Sequence, residues 1–316
     1  VIHNHKHELL LLDLDKKKVI KIDRSKNSPI FGFDWSPDGK YVAYDCSLNR
    51  RSSVIKIYDL KKGKKHIVTK PVLHDVQPVF DPTGKYLSFM SNRVFNPVYD
   101  NLQFDLGFPS GIKPYILTLS ADTLSPLVKE VERKKESKRT NKSKSKKKDE
   151  LSVKIDFKGI EDRLVSIPVP ERRYHEIGFS ENKIFYSFSP IKGSLNPGWY
   201  DMDSIPQNSL KFFDLDELKE NDFCFGVTEF SQSQDKTKLL VGLGDKVRII
   251  DAKMAPSKDV LSNDHSNKKS GLINFERAKL EVVPNHEWRQ MYTEAWRLQR
   301  DHFWVENMSG INWKKI

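Results

Sequence analysis

The sequence predicts an all-β chain built as an incomplete β-propeller, about four and a half blades of an expected seven, followed by an α-helical segment. Three observations carry that prediction. A turn-centred motif returns at blade spacing, strands that close on an Asp recur after it, and the hydrophobic period changes near the end of the chain.

The motif is Phe33-Asp34-Trp35-Ser36-Pro37-Asp38-Gly39-Lys40-Tyr41-Val42-Ala43-Tyr44. It returns as Val79-Phe80-Asp81-Pro82-Thr83-Gly84-Lys85-Tyr86-Leu87-Ser88-Phe89, with Gly39 and Gly84 separated by 45 positions. A period of about 40–50 residues in a β-rich chain marks propeller blades. In each copy an apolar strand ends at an aromatic residue, Pro-Asp-Gly or Pro-Thr-Gly turns the chain, and an alternating strand leaves. Third strands closing on Asp follow at Val54–Asp59 and Val247–Asp251, and Leu9–Asp13, Tyr115–Leu119 and Lys211–Asp214 read the same way. Weaker first and second strands lie at Glu176–Ser180 with Lys183–Phe188, and at Thr228–Phe230 with Lys238–Leu243. Leu9–Asp13 is the trailing half of an earlier blade. Four and a half blades cannot pair their ends and close, so the missing blades are expected before Val1.

Residues 94–112 interrupt the rhythm with an aromatic, Pro/Gly-rich excursion, expected to be ordered and to pack on a neighbouring domain or subunit. After Pro284 the period becomes helical. Glu287–Trp304 contains no Gly or Pro, and Trp288, Met291, Tyr292, Ala295 and Gln299 recur at spacings of three and four. Asn285 is the expected N-cap. Trp288, Trp296 and Trp304 are expected as core anchors. The reading is two domains: 1–283 partial propeller, and 284–316 the start of a helical domain.

The net charge of +11 is concentrated in one place. Residues 132–148 hold ten Lys/Arg against two Glu and account for eight of those eleven charges. The run has no aliphatic or aromatic side chain, so it cannot offset its ordering entropy and reads as a disordered basic insertion within 130–150. No aromatic residues are interleaved for base stacking, which argues against nucleic acid as a partner. No apolar run reaches membrane-spanning length, and no signal peptide opens the chain, so a cytoplasmic location without membrane association is expected. The absence of an initiator Met and the ending at Lys314-Lys315-Ile316 suggest a piece of a longer protein. Cys46 and Cys224 stand alone and read as core thiols in a reducing compartment.

Little catalytic chemistry is visible. There is no G-x-S-x-G elbow, no H-E-x-x-H, no P-loop and no G-x-G-x-x-G. His3, His5 and His7 alternate and would share a face on a strand, where they could hold a transition metal, but a structural accident is the better reading. His175-Glu176 and His302 adjoin carboxylates without forming a Ser/His/Asp set.

Specific residues then point to a family. Phe31 to Lys40, Phe80-Asp81-Pro82, Ser91 to Asp100 and Phe104-Asp105-Leu106 resemble the second propeller of tricorn proteases. So do Gly159-Ile160-Glu161-Asp162-Arg163, Pro168-Val169-Pro170-Glu171, Glu287-Trp288-Arg289-Gln290-Met291 and the run Glu294 to Asp301. The resemblance implies a cytoplasmic, homo-oligomeric serine protease that cuts oligopeptides downstream of larger proteolytic machines. It implies two propellers, a helical domain, a PDZ-like domain and a domain carrying the nucleophilic Ser. In that plan the catalytic His follows the helix seen here and the Ser comes later. No catalytic, cofactor-binding or metal residue is therefore assigned to this sequence, and no cofactor is implied. The expected partners are peptide substrates, admitted by a propeller channel that excludes folded proteins. A non-enzymatic propeller scaffold is the alternative, and a prolyl-oligopeptidase-like enzyme a third reading, which would require a G-x-S-x-G downstream.

Limited trypsin digestion should first cut within Arg133–Lys148, read by mass spectrometry of the early fragments. Deleting 132–148 should leave stability within about 1 kcal/mol, because loop closure depends weakly on length. A large loss on deletion would show that the segment packs.

Overall fold

The structure is a computed structural model that describes residues 1–94, 96–108, 111–128, 151–191 and 208–316. The basic insertion lies outside the described residues. The chain divides into two compact units, one made of residues 1–24 and 274–316, the other of residues 25–273.

In the larger unit, strands pair antiparallel in sequence order to give blade-like sheets. The first is β4 (Phe33–Trp35), β5 (Tyr41–Asn49), β6 (Ser52–Asp59) and β7 (Lys64–Ile67). The second is β8 (Asp75–Phe80), β9 (Tyr86–Ser91), β12 (Lys113–Thr118) and β13 (Leu164–Ser166), with a hairpin of β10 (Val98–Asp100) and β11 (Asp105–Gly107) inserted between β9 and β12. The third is β14 (Arg173–Ser180), β15 (Lys183–Ser189), β16 (Asn208–Asp214) and β17 (Lys219–Val227). The fourth is β18 (Phe230–Gln232), β19 (Lys238–Leu243) and β20 (Lys246–Asp251). The first strands β4, β8, β14 and β18 neighbour one another in series, as the inner strands of a propeller do.

The fourth sheet takes its outer strand from further along the chain. After the short helix α1 (Lys258–Ser262), Gly271–Ile273 returns to β20: Ile249 N–H donates to Gly271 O at 2.8 Å, and Ile273 N–H to Val247 O at 3.0 Å. Arg248 holds this return in place. The residue is 1% exposed, and its guanidinium donates to the carbonyls of Ser270, Leu261 and Asn263. Sequence reading missed this strand, and also β7, β13 and β17, because outer strands carry little of the alternation that burial imposes.

Three apolar cores lie between successive sheets. Ile55, Ile57 and Val68 meet Phe80, Leu87, Phe89 and Leu117 in the first. Met90 and Ile116 meet Tyr174, Phe179 and Tyr186 in the second, and Phe185 and Phe223 meet Phe230, Leu239 and Val241 in the third. Successive residues of a strand face opposite sides, so β9 and β12 each serve two cores. This is why they read as near-continuous apolar runs.

The first strands are tied to neighbouring blades by side chains from β4, β5 and β18. Asp34 accepts the Phe80 N–H at 2.9 Å and Asp45 accepts the Gln77 N–H at 3.1 Å. Gln232 grips Phe179 twice, accepting its N–H at 2.8 Å and donating to its carbonyl at 3.1 Å. Burial pushes the Asp45 carboxyl up to about 6, against the pull of backbone N–H groups of Gln77, Gly32 and Phe31.

The excursion after β9 is ordered at its base, where Arg93 pairs with the buried carboxylate of Asp75 at 2.6 Å and donates to Lys70 O. Its hairpin leaves Val98, Tyr99 and Phe104 exposed.

The smaller unit holds β1 (Ile2–His3), β2 (Glu8–Asp13) and β3 (Lys18–Arg24), three strands where the sequence suggested half a blade. It also holds α2 (Pro284–His302). The helix starts with Pro284 at its first position and Val283 as N-cap, so Asn285 is not the cap; proline's missing N–H costs nothing in the first turn. The tryptophans are not core anchors in this structure. Trp288 is 65% and Trp304 79% exposed, while Trp296 packs on Trp313, whose Nε1 donates to Trp296 O at 3.1 Å. The helix shares its unit with β1–β3, the rings of His302 and His5 lying 5.5 Å apart, rather than with the last blade. No helix among the described residues is long and apolar enough to cross a membrane.

Two measurements check this architecture. A Cβ on Gly271, which holds φ at +63°, would sit 2.1 Å from Ile249 O. Gly271→Ala should therefore cost at least about 2 kcal/mol in urea unfolding, and a neutral substitution would mean that the return strand is not docked. Asp45 supplies the second. Its folded pKa lies above the unfolded value of about 4, so its contribution is fully present below that pH and lost as pH rises through about 6. Wild type should lose roughly 3 kcal/mol relative to Asp45→Asn across that interval, and a flat difference would refute the buried carboxyl.

Candidate functional site

Three sister turns join the first and second strands of their blades, and each is built by short polar side chains. Between β4 and β5, Ser36 Oγ accepts the Tyr41 N–H at 2.9 Å and donates to Asp38 at 2.7 Å. Between β8 and β9, Asp81 accepts the Tyr86 N–H at 2.7 Å. Between β18 and β19, Ser233 Oγ accepts the Lys238 N–H at 3.0 Å. The residue three places on must adopt a left-handed backbone. It is Gly39 at φ +68° in the first turn and Gly84 at φ +71° in the second, but Lys236 at φ +59° in the third. Glycine reaches this conformation freely, whereas a lysine held there carries strain of order 1 kcal/mol.

The three turns enclose a cleft of about 780 Å³ beside the first strands. Asp34, on β4, and Lys236 face each other across it. Lys236 Nζ lies 3.0 Å from Asp34 Oδ2, and both side chains are largely buried. Burial pushes the Asp34 carboxyl above its ordinary range; the Lys236 ammonium and the N–H groups of Phe80 and Trp35 oppose the shift. Ser36, Gln232, Ser233 and Gln234 add hydrogen-bonding groups to walls that also carry Trp35, Pro37, Phe80 and Pro82. Such a lining can hold a polypeptide by its backbone and side chains. The lining contains no His or Cys.

The residues weighed in the sequence do not assemble into a site. Strand β1 ends at His3, and His7 sits in a turn at φ +59°, so the three histidines do not share a strand face. No cluster of metal-ligating side chains occurs among the described residues. His175 Nε2 lies 2.8 Å from Ser189 Oγ, and Glu176 accepts from Ser187 Oγ at 2.6 Å, so the two neighbours engage different partners. Cys46 and Cys224 are both buried, and burial pushes the Cys224 thiol up to about 12. Sequence reading did not find Asp34 and Lys236. The signal available was a lysine aligned with the glycine of its two sister turns.

The comparisons with known proteins agree on one family. Residues 1–253 match the profile of the tricorn protease second beta propeller domain, and residues 284–316 that of the tricorn protease C1 domain. The tricorn-like protease C-terminal subunit of Sulfurisphaera tokodaii is 33% identical over 96% of this chain and 32% of its own length. A tricorn protease homolog of Saccharolobus solfataricus is 32% identical over all of this chain and 27% of its own length. The chain thus spans a third or less of these relatives. The crystal structure of the tricorn protease superposes with a TM-score of 0.78 at 23% identity, covering 99% of this chain and 29% of that one. The chain belongs to the tricorn protease family.

Proposed function

We propose that this chain contributes the peptide-admitting propeller of a tricorn-type serine peptidase. Oligopeptides enter along the cleft between the sister turns, toward a catalytic centre carried elsewhere in the parent protein. The observation that carries this reading is the cleft itself, formed by equivalent turns of a segment that matches the second propeller of the family. A cleft of about 780 Å³ between rigid hairpins suits an extended chain and is too small for a folded domain.

The lining supplies binding groups, and on this reading the chain by itself is inactive. The family plan puts the catalytic His and Ser outside this sequence. The same reading places the parent protein in the cytoplasm as a homo-oligomer. It sets the domain boundary near residue 283, a placement supported by the start of α2 at Pro284 and of the second profile match at the same residue.

The test uses the purified chain. A peptide carrying a photoreactive benzoylphenylalanine should label the turns at 35–39, 80–82 and 232–236, located by mass spectrometry, while fluorogenic peptides should show no hydrolysis. Labelling that avoids all three turns would remove the cleft from the peptide route. Steady cleavage blocked by a serine-directed reagent would show that the catalytic centre lies within this sequence.

A further inference from the structure

The carboxylates around the cleft are not equivalent. Asp81 is committed to its own turn, accepting from Tyr86 and Thr83 N–H, and Asp235 is likewise held by Ser233 and Thr237. Asp34 differs. Its charge partner is the end of a flexible lysine side chain that comes from a turn two blades beyond the neighbouring one. That lysine occupies the left-handed position which both sister turns give to glycine, so the turn does not need it. A strained residue whose side chain makes one defined contact across an open cleft points to a use for the contact itself.

We propose that Asp34 is a subsite for an ammonium group of an extended peptide, an N-terminal amine or a lysine side chain, and that Lys236 is its internal stand-in. This rests on the reading that peptides enter the cleft. An arriving ammonium replaces Lys236 at Asp34 and the ion pair is exchanged rather than lost. The released lysine side chain is long enough to move back into water. A peptide without an ammonium group has nothing to exchange and gains nothing from Asp34. The pair therefore sorts peptides by charge at the point of entry.

The experiment uses the whole chain and two peptides of one lysine-free sequence, both labelled at the C-terminus, one with a free N-terminal amine and one acetylated. Fluorescence anisotropy near neutral pH gives the affinities. Lys236→Gly removes the stand-in and restores the glycine of the sister turns. The free-amine peptide should then gain about tenfold in affinity, and the acetylated peptide should not change. Adding Asp34→Asn, which keeps an acceptor for the Phe80 N–H, should cancel the gain. A merely structural role for Lys236 would move both peptides alike, and that result would overturn the proposal. So would a gain that survives Asp34→Asn. If peptides label the turns yet bind with no amine preference in any variant, this proposal fails and the peptide route stands. If nothing labels the turns, both fail.

Discussion

The larger unit depends on how separate sheets are fastened side by side. Backbone hydrogen bonds hold each blade together internally, but first strands of neighbouring blades do not share a ladder. Apolar cores supply the bulk of the attraction, which has no direction of its own. Direction comes from a few polar side chains that reach a neighbour's backbone. Asp34 to Phe80, Asp45 to Gln77 and Gln232 to Phe179 fix the register at which one blade meets the next. In each, a partly buried backbone N–H gains a partner that no strand provides, and leaving it unmade would carry a desolvation penalty.

The same fastening places the cleft. Asp34 uses one oxygen to hold Phe80 and to meet Lys236, so the group that sets blade register also points into the opening. Structural and binding roles converge on one carboxylate because the first strands are both the innermost part of the fold and the wall of the cleft.

Much of the fold could be read from the chain. Ser36-Pro37-Asp38-Gly39 and Asp81-Pro82-Thr83-Gly84 announce their turns because the glycine is demanded by a positive φ. Strands such as β9 and β15 are largely apolar on both faces because both faces are covered. Outer strands gave no such mark: β7 is Lys64-Lys65-His66-Ile67, half of it cationic, and Gly271–Ile273 joins β20 only after a detour through α1. The cleft was harder still. Ser233-Gln234-Asp235-Lys236 has no glycine, so the sequence places a connection there without showing it as a sister of the two glycine turns. Its partner Asp34 lies 202 residues away, and only folding brings them together.

The strands that serve two cores have a consequence for cooperativity. In a modular array each unit can melt or be replaced while its neighbours persist, since the interfaces are additional to intact units. Here β9 and β12 supply one face to the first core and the other to the second, and β15 and β16 do the same for the second and third. Loosening the third blade strips one wall from the second core, and that loss is felt on the reverse side of β9, in the first. The blades are repeats in sequence but not in energy. They exchange stability through shared strands, so the larger unit is expected to unfold cooperatively.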